Sequence, residues 1–75
     1  MNKNRRKAIE RITDKLMEIQ TDVEEIRDEE QEAYDNLPES IQDGERGEEM
    51  EGYIELIEDA LNSIEEAIDY LNEIL

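Results

Sequence analysis

Two runs of apolar residues at alternating three- and four-residue steps, separated by a single proline, constrain this chain more than any other feature. Ile9, Ile12, Leu16, Ile19, Val23 and Ile26 step by 3, 4, 3, 4 and 3, the spacing of a helix that buries one stripe along its length. With Ile9 at heptad position a and Ile12 at d, the stripe continues through Glu30 (a), Ala33 (d) and Leu37 (a). The second run, Met50, Tyr53, Ile57, Ala60, Ile64, Ala67, Leu71 and Ile74, repeats the pattern and also fills its e positions with Ile54, Leu61, Ile68 and Leu75. The spacing predicts helices over about 4–36 and 45–74, the first capped by Asn2 or Asn4.

The connection over 37–44 reads as a turn. Pro38 disfavours helix at Leu37 and can open a short turn at its own first position. Ser40 followed by Asp43 resembles a capping box with Asp in place of Glu. Gly44, Gly47 and Gly52 each weaken helix by up to about 1 kcal/mol, which leaves the start of the second helix the least defined boundary. A short connection between two long helices gives an all-α, coiled-coil-like antiparallel hairpin, one domain over 1–75.

A lone hairpin needs only a narrow stripe on each helix, and the second helix carries a wider one, so the surplus must bury against something else. A 75-residue chain also makes a marginal core by itself. It holds no Cys and no His, which excludes disulfides and His- or thiolate-ligated metals as remedies. Self-association remains. The expected assembly is a homodimer forming a four-helix bundle, with Ile54, Ile57, Leu61, Ile64, Ile68, Leu71 and Leu75 in the shared core.

The charges are distributed unevenly. The chain carries 24 acids, 8 bases and a formal charge of −16. Residues 1–15 hold Lys3, Arg5, Arg6, Lys7, Arg11 and Lys15 against Glu10 and Asp14. These bases lie at the positive end of the first helix's dipole, the wrong sign for local stability. An antiparallel hairpin offers a reason, because it sets them beside Glu65, Glu66, Asp69 and Glu73. From Gly47 to Leu75 there are ten acids and no base, and from Glu51 onward all of them fall at b, c or f, away from the stripe. Ordinary helical surfaces intersperse the two signs. With 22 acids in residues 4–36 and 45–75, a hairpin of this length carries about one carboxylate per 2 Å, close to the one phosphate per about 1.7 Å of duplex DNA.

Much chemistry is excluded. Without His or Cys, catalytic triads and thiol catalysis are impossible. No phosphate-binding loop or dinucleotide fingerprint occurs, and "DGERGEEME" lacks the spacing of a calcium loop. No enzyme activity, cofactor or specific metal site is expected. No stretch approaches the roughly 20 apolar residues of a membrane span, and "MNKNRRKAIE" has no apolar segment of a secretory signal after its bases. Glu30, the one acid on the first stripe, reads as a polar device that fixes register, satisfied by Arg27, Arg46 or the Tyr53 hydroxyl. On that reading Glu30→Leu costs stability.

The turn "DEEQEAYDNLPES", the basic "NRRKAIE" before it and the acidic "IEDALNSIEEAIDYL" after it resemble small acidic helical-hairpin proteins found in bacterial, phage and prophage genomes. The resemblance implies a phage-associated accessory protein, cytoplasmic in a bacterial host, that counters a host defence system. Three readings stay open. In the first, the chain mimics DNA toward a basic nucleic-acid-binding protein. Asp35, Glu39, Asp43 and Glu45 at the turn, and Glu51, Glu55, Glu58, Asp59, Glu65, Glu66 and Asp69 on the second helix, then meet the partner, with no direct binding to nucleic acid or membrane. In the second, it is an oligomerisation module whose charge confers only solubility. In the third, the basic N-terminal cluster binds nucleotides.

Overall fold

A computed structural model describes residues 1–75. Three helices follow one another: α1 (Lys3–Asp35), α2 (Glu39–Gln42) and α3 (Glu45–Ile74), with no strand. The two long helices pack side by side in opposite directions, in a rod 58 × 15 × 11 Å. The radius of gyration is 17.2 Å, against about 11 Å for a compact domain of this length.

The ends are set locally. Asn2 caps α1, its side-chain oxygen accepting from the Arg5 N–H at 2.8 Å. The expected capping box at Ser40 does not form: Pro38 opens α2 without a side-chain cap. Its ring holds φ at −56°, and ψ is extended at 145°. The turn is held instead by Gln42, whose Nε2 donates to the Tyr34 carbonyl at 2.9 Å. Gly44 is the N-cap of α3, and a Cβ on Gly47 would overlap the backbone of Gln42. Glycine at 47 is therefore what lets α3 start against the turn.

The stripe between the helices is not the expected one. On α1 the residues turned toward α3 are Ile9, Thr13, Leu16, Gln20, Val23, Arg27, Glu30 and Tyr34, positions a and e, and Leu37 in the turn is half-buried beyond them. On α3 the a and e positions Gly47, Met50, Ile54, Ile57, Leu61, Ile64, Ile68 and Leu71 are buried or half-buried, and Ala67 and Ile74 at d are half-buried beside them. The d positions expected at the seam stand outside it. Ile12, Ile19 and Ile26 are 49%, 48% and 55% exposed, while the neighbouring Thr13 is 3% exposed. Thr13 tolerates this burial because its hydroxyl donates to the Ile9 carbonyl at 2.9 Å. The residues expected at a dimer core are taken up within one chain: Ile54, Leu61 and Ile68 are its three buried hydrophobic residues, and Ile57, Ile64 and Leu71 flank them half-buried. Leu75, at the end of the row, is exposed.

The physical reason is the breadth of the α3 stripe. It is apolar along both its a/d and its a/e seams, so α3 can turn about 50° from one to the other and still meet α1 with an apolar row. Turned to its e side, α3 meets the polar e row of α1 and leaves the d row of α1 exposed at Ile12, Ile19 and Ile26, and its own d row exposed at Tyr53 and Ala60 and half-buried at Ala67 and Ile74.

Candidate acidic interaction surface

The acids are displayed as their heptad positions dictate. All 24 are exposed except Glu24 and Glu30, which are half-buried. Glu51, Glu55, Glu58, Asp59, Glu65, Glu66 and Asp69 all stand in solvent along α3. At the turn, Asp35 ends α1, Glu39 opens α2, Asp43 caps its end and Glu45 opens α3. These four come together at one tip of the rod, as the sequence led one to expect.

Two tyrosine hydroxyls bond to carboxylates near this tip, Tyr34 across the hairpin, which the sequence did not identify, and Tyr53 to an acid of its own helix rather than to the expected Glu30. The Tyr34 hydroxyl donates to the Glu51 carboxylate and so links α1 to α3. That bond, followed by partial burial and the charges of Glu51, Asp43 and Asp35, raises the Tyr34 pKa above its ordinary value of 10.0. The Tyr53 hydroxyl donates to Glu49 at 2.6 Å. The bond to Glu49 and its charge, then burial and the charge of Glu30, raise the Tyr53 pKa as well. Gln31, Tyr34, Glu51, Ile54, Glu55 and Glu58 line a shallow groove beside this clasp. The signal for the clasp was Tyr34 itself, a large side chain with a polar tip at an e position.

The cross-hairpin charge attraction expected of the basic cluster is absent. One ion pair occurs in the molecule, Arg27 with its neighbour Asp28 at 3.1 Å. Lys3, Arg5, Arg6, Lys7, Arg11 and Lys15 are exposed and reach no carboxylate of α3. Three of these bases, Lys3, Arg6 and Lys7, line a cleft by the C-terminus with Glu10 and Leu75. They lie at the expected end of the hairpin but pair with none of the acids there. Glu30 makes no hydrogen bond either: Arg27 turns to Asp28 and Tyr53 to Glu49.

The rod is thus electrically lopsided. Residues 23–61, the turn half, hold 16 acids and two bases, a net of −14; residues 1–22 and 62–75 hold eight acids and six bases, a net of −2. Half of the 58 Å rod therefore carries about one net negative charge per 2 Å, against one per about 1.7 Å in duplex DNA. No group of acidic side chains has the arrangement of a metal site, and no helix is long and apolar enough to cross a membrane. No protein-family model matches this chain, and neither does any curated protein or solved structure.

Proposed function

We propose that this chain is a non-enzymatic acidic binding module that occupies the basic groove of a nucleic-acid-binding protein in place of DNA. The observation that carries this reading is the turn half of the rod. Its carboxylates are spaced nearly as densely as the phosphates of a duplex, and only one of them is paired with a base. Binding would draw on counterion release, as DNA binding does. In keeping with the family resemblance, the partner is a basic protein of a bacterial host's defence against phage, and the setting is the bacterial cytoplasm. The working unit is a homodimer in the form of a four-helix bundle, which gives the exposed d rows a place to bury.

The test is competition with duplex DNA for a panel of nucleases and other DNA-binding proteins, read at low and high salt. Displacement that weakens steeply with salt is expected. Neutralising Asp35, Glu39, Asp43 and Glu45 together to Asn and Gln should flatten that salt dependence. Failure to displace DNA from any member at low salt refutes mimicry. It would favour the second reading, an oligomerisation module with a solubilising surface, which the exposed d rows independently support. The basic cluster is the weakest candidate for a ligand site, since its cleft contains no aromatic side chain on which a nucleobase could stack.

A further inference from the structure

The two d rows lie on the same side of the hairpin. One residue turns an α-helix by about 100°, so d stands about 80° from the centre of an a/e seam. In an antiparallel pair, equivalent heptad positions face the same side of the plane through both axes. Ile12, Ile19 and Ile26 of α1 therefore share one long face with Tyr53, Ala60, Ala67 and Ile74 of α3. Leu56 and Tyr70, both exposed, flank it at position g. The chain exposes 5797 Å², where a compact monomer of 8.9 kDa exposes roughly 4,800 Å². The excess, about 1,000 Å², is of the size one partner contributes to a standard interface, about 800 Å².

Two hairpins can stack on this face in two ways. With the turns at the same end, each half of net −14 lies against its copy, and the six free bases lie against one another. With the turns at opposite ends, the bases of each chain lie over the acidic half of the other. We propose that two copies pair in this second way, α1 antiparallel to α1 and α3 antiparallel to α3, about a two-fold axis at Ile19. This specifies the dimer proposed above and rests on that reading.

The sequence is self-complementary under such an axis. Ile12 meets the second copy's Ile26, and Ile19 meets itself. On α3, Tyr53 lies opposite Ile74 and Ala60 opposite Ala67, a centre of small residues that admits close approach. The flanking g positions match too: Leu56 faces Tyr70, and Lys15 faces Asp22. At position c, Arg11 comes level with Glu25. The two helices agree on the position of the axis. With Tyr34 bonded to Glu51, counting back residue for residue puts Ile19 level with Glu66, within about one turn of the midpoint between Ala60 and Ala67.

Cross-linking tests this. In the full chain, Ile19→Cys should form a disulfide with its copy on mild oxidation, and Ser40→Cys in α2 should not. Light scattering reports the mass in parallel. Lys15→Glu should weaken dimerisation about tenfold, because two symmetric pairs turn from attraction to repulsion at about threefold each. Adding Asp22→Lys should restore it. A dimer that cross-links through Ser40→Cys, or fails to cross-link through Ile19→Cys, overturns this arrangement and leaves the dimer standing, as does a charge exchange that restores nothing. A folded monomer at micromolar concentration overturns both.

Discussion

Replacing Glu30 with Leu should stabilise the protein. Glu30 occupies an a position, half-buried between α1 and α3, with no hydrogen bond and no ion pair. Its surroundings are acidic: Tyr53, itself bonded to Glu49, feels its charge. Leu and Glu have nearly equal helix propensity, so the backbone is indifferent. Half-burying a Leu side chain contributes about 1 kcal/mol, taken as half of the 1.5–3 kcal/mol for full burial. Losing any attraction to Arg27, three residues before it, costs a few tenths of a kcal/mol, and relief from neighbouring acids returns about as much. The net gain is about 1 kcal/mol, which for a domain of this size raises the Tm by about 4–8 °C. The assay is thermal unfolding followed by circular dichroism at one fixed protein concentration, since a dimer's Tm depends on it. Glu30→Gln separates charge from apolar burial and should shift the Tm by less than half as much. A fall in Tm for Glu30→Leu would refute the reasoning. It would mean that the carboxylate has a partner whose loss costs more than burial contributes, as a register-fixing residue would.

Further outcomes concern packing, the turn, salt and pH. Leu61→Ala, at one of the three buried hydrophobic positions, should cost about 2–5 kcal/mol in urea unfolding. Met17→Ala, at position b on the side away from the d face, should stay within about 0.5 kcal/mol. Gly47→Ala should lower the Tm by displacing the turn, because its Cβ meets the Gln42 backbone. Gly52→Ala meets open space and should stabilise by about 0.5–1 kcal/mol. Raising salt from low ionic strength should raise the Tm, since screening relieves a net charge of −16 more than it weakens one exposed ion pair. Tyr34 and Tyr53 should ionise above pH 10.0 when followed by ultraviolet absorbance. Each raised pKa means the neutral hydroxyl is favoured in the folded state. The stability it contributes is complete below the unfolded pKa and is lost as pH rises through the folded one. Glu51→Gln should bring the Tyr34 titration down.

The two helices and their antiparallel order were legible because heptad spacing and a lone proline leave few alternatives. Which row of each helix would face the other was not. On α1, Thr13, Gln20, Arg27 and Tyr34 at e look like surface beside Ile12, Ile19 and Ile26 at d. Any rule that buries the more apolar row chooses d. α3 does not arbitrate, because Tyr53, Ala60, Ala67 and Ile74 at d compete with Ile54, Leu61, Ile68 and Leu75 at e. Of the surface, the exposed acids could be read from their b, c and f positions. The clasp from Tyr34 to Glu51 could not, because it needs the a/e register to bring those two residues level.

That choice of row carries an energetic argument about the assembly. Were the hairpin to function alone, turning α1 by about 50° would bury Ile12, Ile19 and Ile26, now half-exposed, and bring Thr13, Gln20 and Arg27 out to solvent. Burying the remaining half of each Ile is worth about 1 kcal/mol, or about 3 kcal/mol along the row. The hairpin forgoes this and buries a threonine at 3% exposure instead. The wide stripe of α3 makes the arrangement coherent in a pair. Its e row, with Ile54, Leu61 and Ile68, seals the hairpin from within. Both d rows then remain for the second copy, so each helix of the bundle has one neighbour from its own chain and one from the other. Polar e residues on α1 are tolerable on this plan because they contact only their own chain, where Thr13 finds a backbone carbonyl and Tyr34 a carboxylate. The isoleucines are kept for the contact between copies, which has no turn to hold it and depends on apolar burial and on the opposed charges at its two ends.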